Sequence, residues 1–220
     1  MEVMAADMQH PNVVHIHEII DDSMEYNKIV VAMEHCPGGQ ILKWNPSTKM
    51  FTPDPTKVDE NGQIPEETIK RILWQVAQGL HFLHAHGVIH RDIKPQNIMF
   101  GEAGQAKIID FGVATVLSDP KGDDLVKQTE GTYHFMAPEA CDPDLDELKG
   151  KPMDVWALGV TLYTLLYLKV PFDGITDHLI MEAIRQQPFE VPKERQVSPE
   201  LMEILLGLCE KDPEKRMKLD

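Results

Sequence analysis

The sequence has few cysteines and few basic residues. Three cysteines occur among 220 residues, and no two of them have the C-x-x-C spacing. A disulfide framework and a zinc knuckle are therefore not indicated, and a reducing compartment fits. Lysine and arginine number 21 against 36 acidic residues, which gives a net charge of -15. This charge opposes binding to nucleic acid or to an anionic membrane surface, so basic or cationic partners fit better.

Long hydrophobic runs are missing as well. The longest uncharged and mainly apolar run covers residues 155–168, which is 14 residues and too short to span a membrane comfortably. This run predicts a buried core helix. Residues 1–11 contain neither a basic region nor a long apolar stretch, so we expect no secretory signal. We expect a cytoplasmic protein, with the nucleus as the alternative.

The composition is otherwise that of a packed domain, with 42% hydrophobic and 26% charged residues. Three prolines and little apolar periodicity predict a mobile surface loop over residues 45–63. Apolar and β-branched segments predict strands at 12–20, 28–33, 88–89, 98–100 and 107–109, the first two forming a hairpin. Apolar spacing predicts helices from 66 to about 87 and at 155–168, 178–185 and 199–210. Strands followed by helices indicate an α+β fold.

Three motifs carry the chemistry. They are HRDIKPQN at 90–97, DFG at 110–112 and APE at 137–139. Each tripeptide alone would be an ordinary turn. Together, in this order and at this spacing, they resemble the catalytic loop, the DFG element and the APE element of the eukaryotic protein kinases. The resemblance implies a protein-kinase-like fold that uses ATP and Mg²⁺.

The motif residues fit phosphoryl transfer. A carboxylate at Asp92 suits the base that accepts the proton of the attacking hydroxyl. Hard oxygen donors suit Mg²⁺, so Asn97 and Asp110 are the candidate metal ligands. The resemblance places Lys94 on the γ-phosphate, and a lysine there marks the Ser/Thr-specific branch. It also implies that Thr132 bonds the catalytic Asp and Lys.

The same resemblance assigns the nucleotide pocket and the supporting residues. Glu34 and Cys36 match hinge positions whose backbone groups bond the adenine edge, and Met99 matches the floor beneath the ring. Alone, the segment 28–36 is simply a buried strand ending in a turn. We expect Cys36 to be exposed beside the pocket and open to modification. Further matched positions are the stacked pair His90 and Phe111, the ion pair Glu139 and Arg216, and Asp154 and Trp156 at the start of the central helix.

Arg91 matches the arginine that binds an anion of the activation segment, here residues 123–140. Thr129 lies two residues before Gly131, whereas the threonine phosphorylated in related kinases lies three before it. We therefore expect the carboxylates of Asp123 and Asp124 to supply part of the negative charge that Arg91 binds.

The resemblance covers the whole chain, and it leads us to expect that the chain covers only part of a kinase domain. Neither a glycine-rich loop nor a V-A-I-K lysine precedes His10, and the αC glutamate position falls on Met1. We expect a partial small lobe at 1–36, retaining its hairpin and hinge, and a large catalytic lobe at 37–220. A catalytically impaired pseudokinase or a regulatory binding fragment is therefore the alternative to an active kinase.

Within the kinases, the segments EIIDDSMEYNKI, DDLVKQTEGTYHFMAPEA and KPMDVWALGVTLY resemble the calcium/calmodulin-dependent protein kinase kinases and their plant and fungal relatives. Gln40 and Gln96 stand where kinases that prefer basic residues often have Glu. The substrate implied is a protein, in this family the activation loop of another kinase. Calmodulin binding cannot be inferred from this segment. A zinc site at His81, His84, His86 and His90, or at His15 and His17, is disfavoured because no Cys or carboxylate completes a tetrahedral set.

Overall fold

The computed structural model describes residues 9–21, 29–120, 122–127 and 130–219. In this part of the chain the helices are α1 (Glu66–Ala85), α2 (Gly150–Tyr167), α3 (Asp177–Gln186) and α4 (Pro199–Leu208). The strands are β1 (Ile16–Asp21), β2 (Ile29–Met33), β3 (Lys43–Asn45), β4 (Met50–Thr52), β5 (Val88–Ile89), β6 (Ile98–Phe100), β7 (Ala106–Ile108), β8 (Thr115–Val116), β9 (Leu125–Lys127) and β10 (Glu147–Lys149). The mixture matches the predicted α+β class.

The core is built around α2. This helix is buried on all sides, as its nearly continuous apolar sequence predicts, and Trp156 in its second turn is 0% exposed. At Gly159 an added Cβ would lie 2.7 Å from the Cys209 sulfur, so only glycine lets the end of α4 approach this closely. The helix ends at Leu168, which adopts a left-handed conformation (φ 56°) and donates its N–H to Thr164 O.

Helix α1 buries one face against α2 and β7. The start of α1 is tied to α4 through Glu66, whose Oε2 accepts the Ser198 N–H at 3.0 Å and whose Oε1 pairs with Lys70 at 2.9 Å. Burial alone would raise the pKa of the Glu66 carboxyl, but the hydrogen bonds from Ser198 and Lys70 lower it to about 2. Ser198 also caps α4, because its Oγ accepts the Leu201 N–H.

All strand pairs in the described residues are antiparallel: β1 with β2, β3 with β4, β5 with β8, β6 with β7, and β9 with β10. The predicted first hairpin is present, with Ile20 opposite Val30. Residues 12–14 bond the free edge of β7 in the β6–β7 hairpin. Ile108 N donates to Asn12 O, and Val14 N donates to Ile108 O, both at 2.9 Å.

The segment 45–63 differs from the predicted surface loop. It contributes Asn45 and β4 to a short hairpin, followed by a 3₁₀ turn at Pro55–Lys57. Phe51 is 3% exposed, and its N–H donates to Leu168 O at 3.1 Å. The prediction failed because burial of Phe51 depends on residues more than eighty positions away, which local periodicity does not reveal.

Several smaller differences concern bounds and order. Helix α2 begins five residues before the predicted 155, and the strands β8, β9 and β10 were not predicted. The αC position at Met1 and residues 22–28, which connect the strands of the first hairpin, lie outside the described residues. The division into lobes at 36 and 37 stays a prediction. None of the helices described here is long and apolar enough to cross a membrane.

Candidate active site

One buried carboxylate on α2 accepts hydrogen bonds from the backbone of the loop at 90–97. Asp154 accepts the His90 N–H at 2.9 Å on Oδ2 and the Arg91 N–H at 2.7 Å on Oδ1. The ring of His84 on α1 bonds the same Oδ2 at 2.8 Å. Arg91 adopts a left-handed backbone conformation with φ 68°. Helix α2 thus fixes the backbone immediately before Asp92, which gives this loop a rigid base.

Asp92, Lys94 and Thr132 form a compact polar cluster at the mouth of the loop. Lys94 Nζ lies 2.6 Å from Asp92 Oδ2 and donates to Thr132 Oγ1 at 2.7 Å. Thr132 Oγ1 in turn donates to Asp92 Oδ1 at 2.8 Å, and its backbone N–H reaches the same oxygen at 3.1 Å. The side chains of Asp92 and Lys94 remain 12% and 18% exposed, so the cluster is accessible from solvent.

Asn97 and Asp110 supply oxygen donors beside this cluster. Asn97 Nδ2 donates to Asp92 O at 2.9 Å and to Asp92 Oδ2 at 2.8 Å, so the amide oxygen is the atom it can offer to a cation. Asp110 is exposed, has φ 63°, and accepts the Gly112 N–H at 3.1 Å. The Ile109 N–H donates to Asn97 O, which ties the two segments together. A carboxylate and an amide oxygen fit Mg²⁺.

His90 connects the loop to the segment at 110–112. Its ring lies 5.2 Å from the Phe111 ring in an edge-on contact, and its Nε2 lies 3.0 Å from Ile109 O. Burial lowers the pKa of His90, outweighing the carboxylate of Asp154. The neutral ring accepts the Asp92 N–H on Nδ1 and therefore donates from Nε2 to Ile109 O.

The matched hinge positions follow β2. Glu34 N donates to His15 O at 2.9 Å, and its side chain pairs with the buried Lys107 at 2.7 Å. Burial would raise the pKa of Glu34, but the hydrogen bonds from Lys107 and from the His15 N–H lower it. Met99 on β6 pairs with Gln40 through an antiparallel backbone bridge, which places Met99 beside the segment that follows the matched hinge positions.

Two findings change the predicted hinge. Cys36 is 6% exposed rather than exposed, and burial raises the pKa of its thiol, so the expectation of a modifiable cysteine was wrong. Sequence reasoning also missed Lys107. A lysine between apolar residues of a predicted strand was the available signal, because a buried ammonium group requires a paired carboxylate.

The whole chain, residues 1–220, matches the family model described as "Protein kinase domain". The chain belongs to the protein kinase family. This match confirms the predicted protein kinase domain and its fold class. We call the segment at 90–97 the catalytic loop and the segment at 110–112 the DFG element, after the family motifs that they resemble.

Curated relatives cover nearly all of the chain. Serine/threonine-protein kinase ppk34 of Schizosaccharomyces pombe is 35% identical over 213 residues, which are 97% of this chain and 55% of that protein. Serine/threonine-protein kinase TOS3 of Saccharomyces cerevisiae is 32% identical over 229 residues, with 96% and 40% covered. Serine/threonine-protein kinase GRIK1 of Arabidopsis thaliana is 35% identical over 215 residues, with 96% and 48% covered. The chain thus spans about half the length, or less, of these kinases.

In the activation segment of this kinase domain, a carboxylate other than the two predicted ones lies beside Arg91. Arg91 Nη2 lies 3.4 Å from Glu130 Oε2, and Nη1 donates to Thr115 Oγ1 at 2.9 Å. Asp124 instead accepts the Lys151 N–H on its carboxylate and the Gly150 N–H on its carbonyl, so it caps the start of α2. The expected role of Asp124 was therefore wrong. The position of Thr129 lies outside the described residues.

The predicted ion pair of the large lobe is present. Arg216, 2% exposed, bonds Glu139 through Nη1 at 2.6 Å and Nη2 at 2.8 Å. The same guanidinium donates from Nη1 to Pro152 O at the start of α2. The APE element is thus attached to the core through a bidentate buried contact.

The clustered histidines have partners other than a metal. His84 bonds Asp154, His90 bonds Ile109 O, and His86 Nδ1 lies 2.8 Å from Phe82 O. His15 and His17 stack edge-on at 4.8 Å. In the ranges that the structure describes, no three His, Cys, Asp or Glu side chains converge as a metal site.

Proposed function

We propose that this chain is the catalytic part of a kinase that transfers the γ-phosphoryl group of ATP to Ser or Thr of a protein substrate. The observation that carries the proposal is the contact of Asp92 with both Lys94 and Thr132 at distances of 2.6–2.8 Å. A carboxylate, an ammonium and a hydroxyl kept in mutual contact at an accessible position favour a functional site over a decayed one.

Each of the site residues has a separate role in the proposed phosphoryl transfer. Asp92 orients the acceptor hydroxyl and takes its proton on a carboxylate oxygen as the new O–P bond forms and the bond to the nucleotide diphosphate breaks. Lys94 lies beside this carboxylate and offers positive charge to the transferred group. Thr132 fixes the separation of the two. Asn97 and Asp110 would hold Mg²⁺, which would supply charge neutralisation on the phosphates.

The nucleotide would bind between the hinge and β6. Backbone groups of Glu34 and Cys36 provide the donor and acceptor for the adenine edge, and Met99 lies beneath the ring. Burial of the Cys36 side chain is compatible with this role, because only its backbone is used.

The substrate proposed is the activation loop of another kinase, as in the calcium/calmodulin-dependent protein kinase kinases that the sequence resembles. The neutral pair Gln40 and Gln96 supports this. Gln40 Nε2 donates to Gln96 O at 3.1 Å, so amide groups occupy a place where an acidic clamp would select basic residues. A peptide array in which arginine is placed at each position before the acceptor tests the point. Strong selection for arginine would contradict it.

The function is tested in the intact protein with radiolabelled ATP and a general protein substrate. Asp92→Asn keeps size and hydrogen bonding but removes the charge that accepts the proton, so transfer should fall by at least about a hundredfold while nucleotide binding persists. Asp146→Asn, which neutralises an exposed carboxylate in the loop before β10, is the matched control. A wild-type protein that binds ATP but transfers no phosphate would favour the pseudokinase alternative instead.

A further inference from the structure

The β3–β4 hairpin lies between the catalytic loop and the activation segment. Strand β3 runs beside the Pro95–Asn97 turn of the catalytic loop. Phe51 on β4 makes an edge-on ring contact with Phe135 of the activation segment, with centroids 6.4 Å apart. The backbone of Phe51 is also fixed by Leu168 at the end of α2. The hairpin is therefore a rigid part of the wall around the acceptor site.

The activation-segment turn that the hairpin touches is the one that holds the proposed base. The turn Tyr133–Phe135 begins directly after Thr132, and Phe135 N donates to Thr132 O at 2.8 Å. Thr132 bonds Asp92 through both its hydroxyl and its backbone N–H. A polypeptide whose hydroxyl reaches Asp92 must therefore pass close to this turn and to what packs on it.

Trp44 is the solvent-facing end of the aromatic cluster Trp44–Phe51–Phe135. Trp44 lies opposite Phe51 in the hairpin register, and their rings are 4.9 Å apart. Phe51 and Phe135 are 3% and 4% exposed, whereas Trp44 is 37% exposed. A large apolar ring that packs on a buried ring and is open to solvent loses little side-chain entropy on binding, which is the usual property of an interface anchor.

We propose that Trp44 is a specificity-determining residue for the acceptor: its exposed ring binds an apolar side chain of the protein substrate close to the phosphorylated Ser or Thr. The inference rests on the proposed function. It commits to the protein substrate as occupant because the hairpin that carries the ring contacts both the loop and the turn that position Asp92. Gln40, three residues before β3, contacts Gln96 of the catalytic loop, and this neutral contact offers no carboxylate to a basic side chain.

The test uses the intact protein and a peptide library in which each position within about five residues of the acceptor is varied. We expect selection of Leu, Met or Phe at one position. Trp44→Ala should raise KM for the selected peptide about tenfold, with kcat within about twofold. Replacing the selected residue by Ala in the peptide should raise KM similarly for the wild type and should add little for Trp44→Ala, because both changes remove one contact.

Two variants control for structure. Trp44→Phe keeps an aromatic ring and should retain most of the selection. Trp74→Ala removes a tryptophan on α1 that is 64% exposed and should leave the peptide profile unchanged. Thermal unfolding of all three variants reports whether the hairpin still folds.

The possible outcomes distinguish failure of this inference from failure of the proposed function. An intact protein that transfers no phosphate to any peptide or protein overturns the proposed function and the subsite with it. Active protein in which Trp44→Ala weakens all peptides equally, including the Ala-substituted one, overturns the subsite alone, because the effect is then structural. The subsite is also overturned if the increase in KM for the two changes together equals the product of the two single increases, because the changes are then independent.

Discussion

The hydroxyl of Thr132 offers the sharpest test of the site, because it is the one group that bonds both Asp92 and Lys94. Thr132→Val removes the hydroxyl and keeps the volume and the β-branched shape. The variant loses the 2.8 Å bond to Asp92 and the acceptor for Lys94 at 2.7 Å. The backbone N–H of residue 132 still donates to Asp92, and Lys94 still forms its ion pair with Asp92. The cluster is therefore weakened but keeps its arrangement.

The size of the effect follows from these contacts. A hydrogen bond to a charged group contributes about 1.5–3 kcal/mol. The contacts that remain stop the two lost bonds from adding, so the change corresponds to about one such bond. Each 1.36 kcal/mol is a factor of ten in rate, and kcat should therefore fall about 10- to 150-fold. The loss should appear in kcat rather than in the KM for ATP, because Thr132 positions the base and not the nucleotide.

Steady-state phosphorylation by the intact protein, at saturating ATP, measures this. Thr132→Ser keeps the hydroxyl and loses only a methyl group, so it should remain within about threefold of the wild type. Thermal unfolding should give similar midpoints for the two variants. If Thr132→Val kept kcat within a factor of about three, or if Ser and Val lowered it equally, the hydroxyl would not be organising the base.

Two other perturbations probe charge elsewhere in the fold. Glu130→Gln removes the carboxylate 3.4 Å from Arg91, so activity measured without prior phosphorylation should fall about three- to tenfold; an unchanged activity would show that this ion pair is unimportant. The pKa of Glu66 is held at about 2, below its ordinary value of 4.5, so its stabilisation is complete above about pH 4.5 and disappears as the pH falls towards 2. Glu66→Gln should therefore lower the unfolding temperature at pH 6 and leave it nearly unchanged near pH 2; an equal effect at both values would contradict the assignment.

Much of the catalytic cluster could be predicted because its members are close in sequence. Asp92, Lys94 and Asn97 lie within six residues on one loop, so the spacing of residue types nearly fixes their geometry. Thr132 was found through its place beside Gly131 in the kinase pattern. The helices also followed from apolar spacing, since α1 buries one face and α2 is buried throughout.

What could not be predicted depends on contacts between distant segments. Lys107 and Glu34 are 73 positions apart, and only the placement of β7 beside residues 12–14 brings them together. Burial of Phe51 depends in the same way on Phe135. For Arg91, the sequence offered several acidic residues in the activation segment. Charge alone could not distinguish Glu130 from the two aspartates, because the choice depends on the path of the backbone.

The left-handed conformations of Arg91 (φ 68°) and Asp110 (φ 63°) affect how this domain could be engineered. Side chains other than glycine in this region cost on the order of 1 kcal/mol or more, so each position carries a small energetic penalty inside the catalytic machinery. Laboratory selection for heat resistance alone would favour glycine or asparagine there. A more heat-resistant domain obtained in that way would gain stability by losing the arginine that contacts Glu130 or the aspartate proposed to hold Mg²⁺, so both positions should be held constant in any such library.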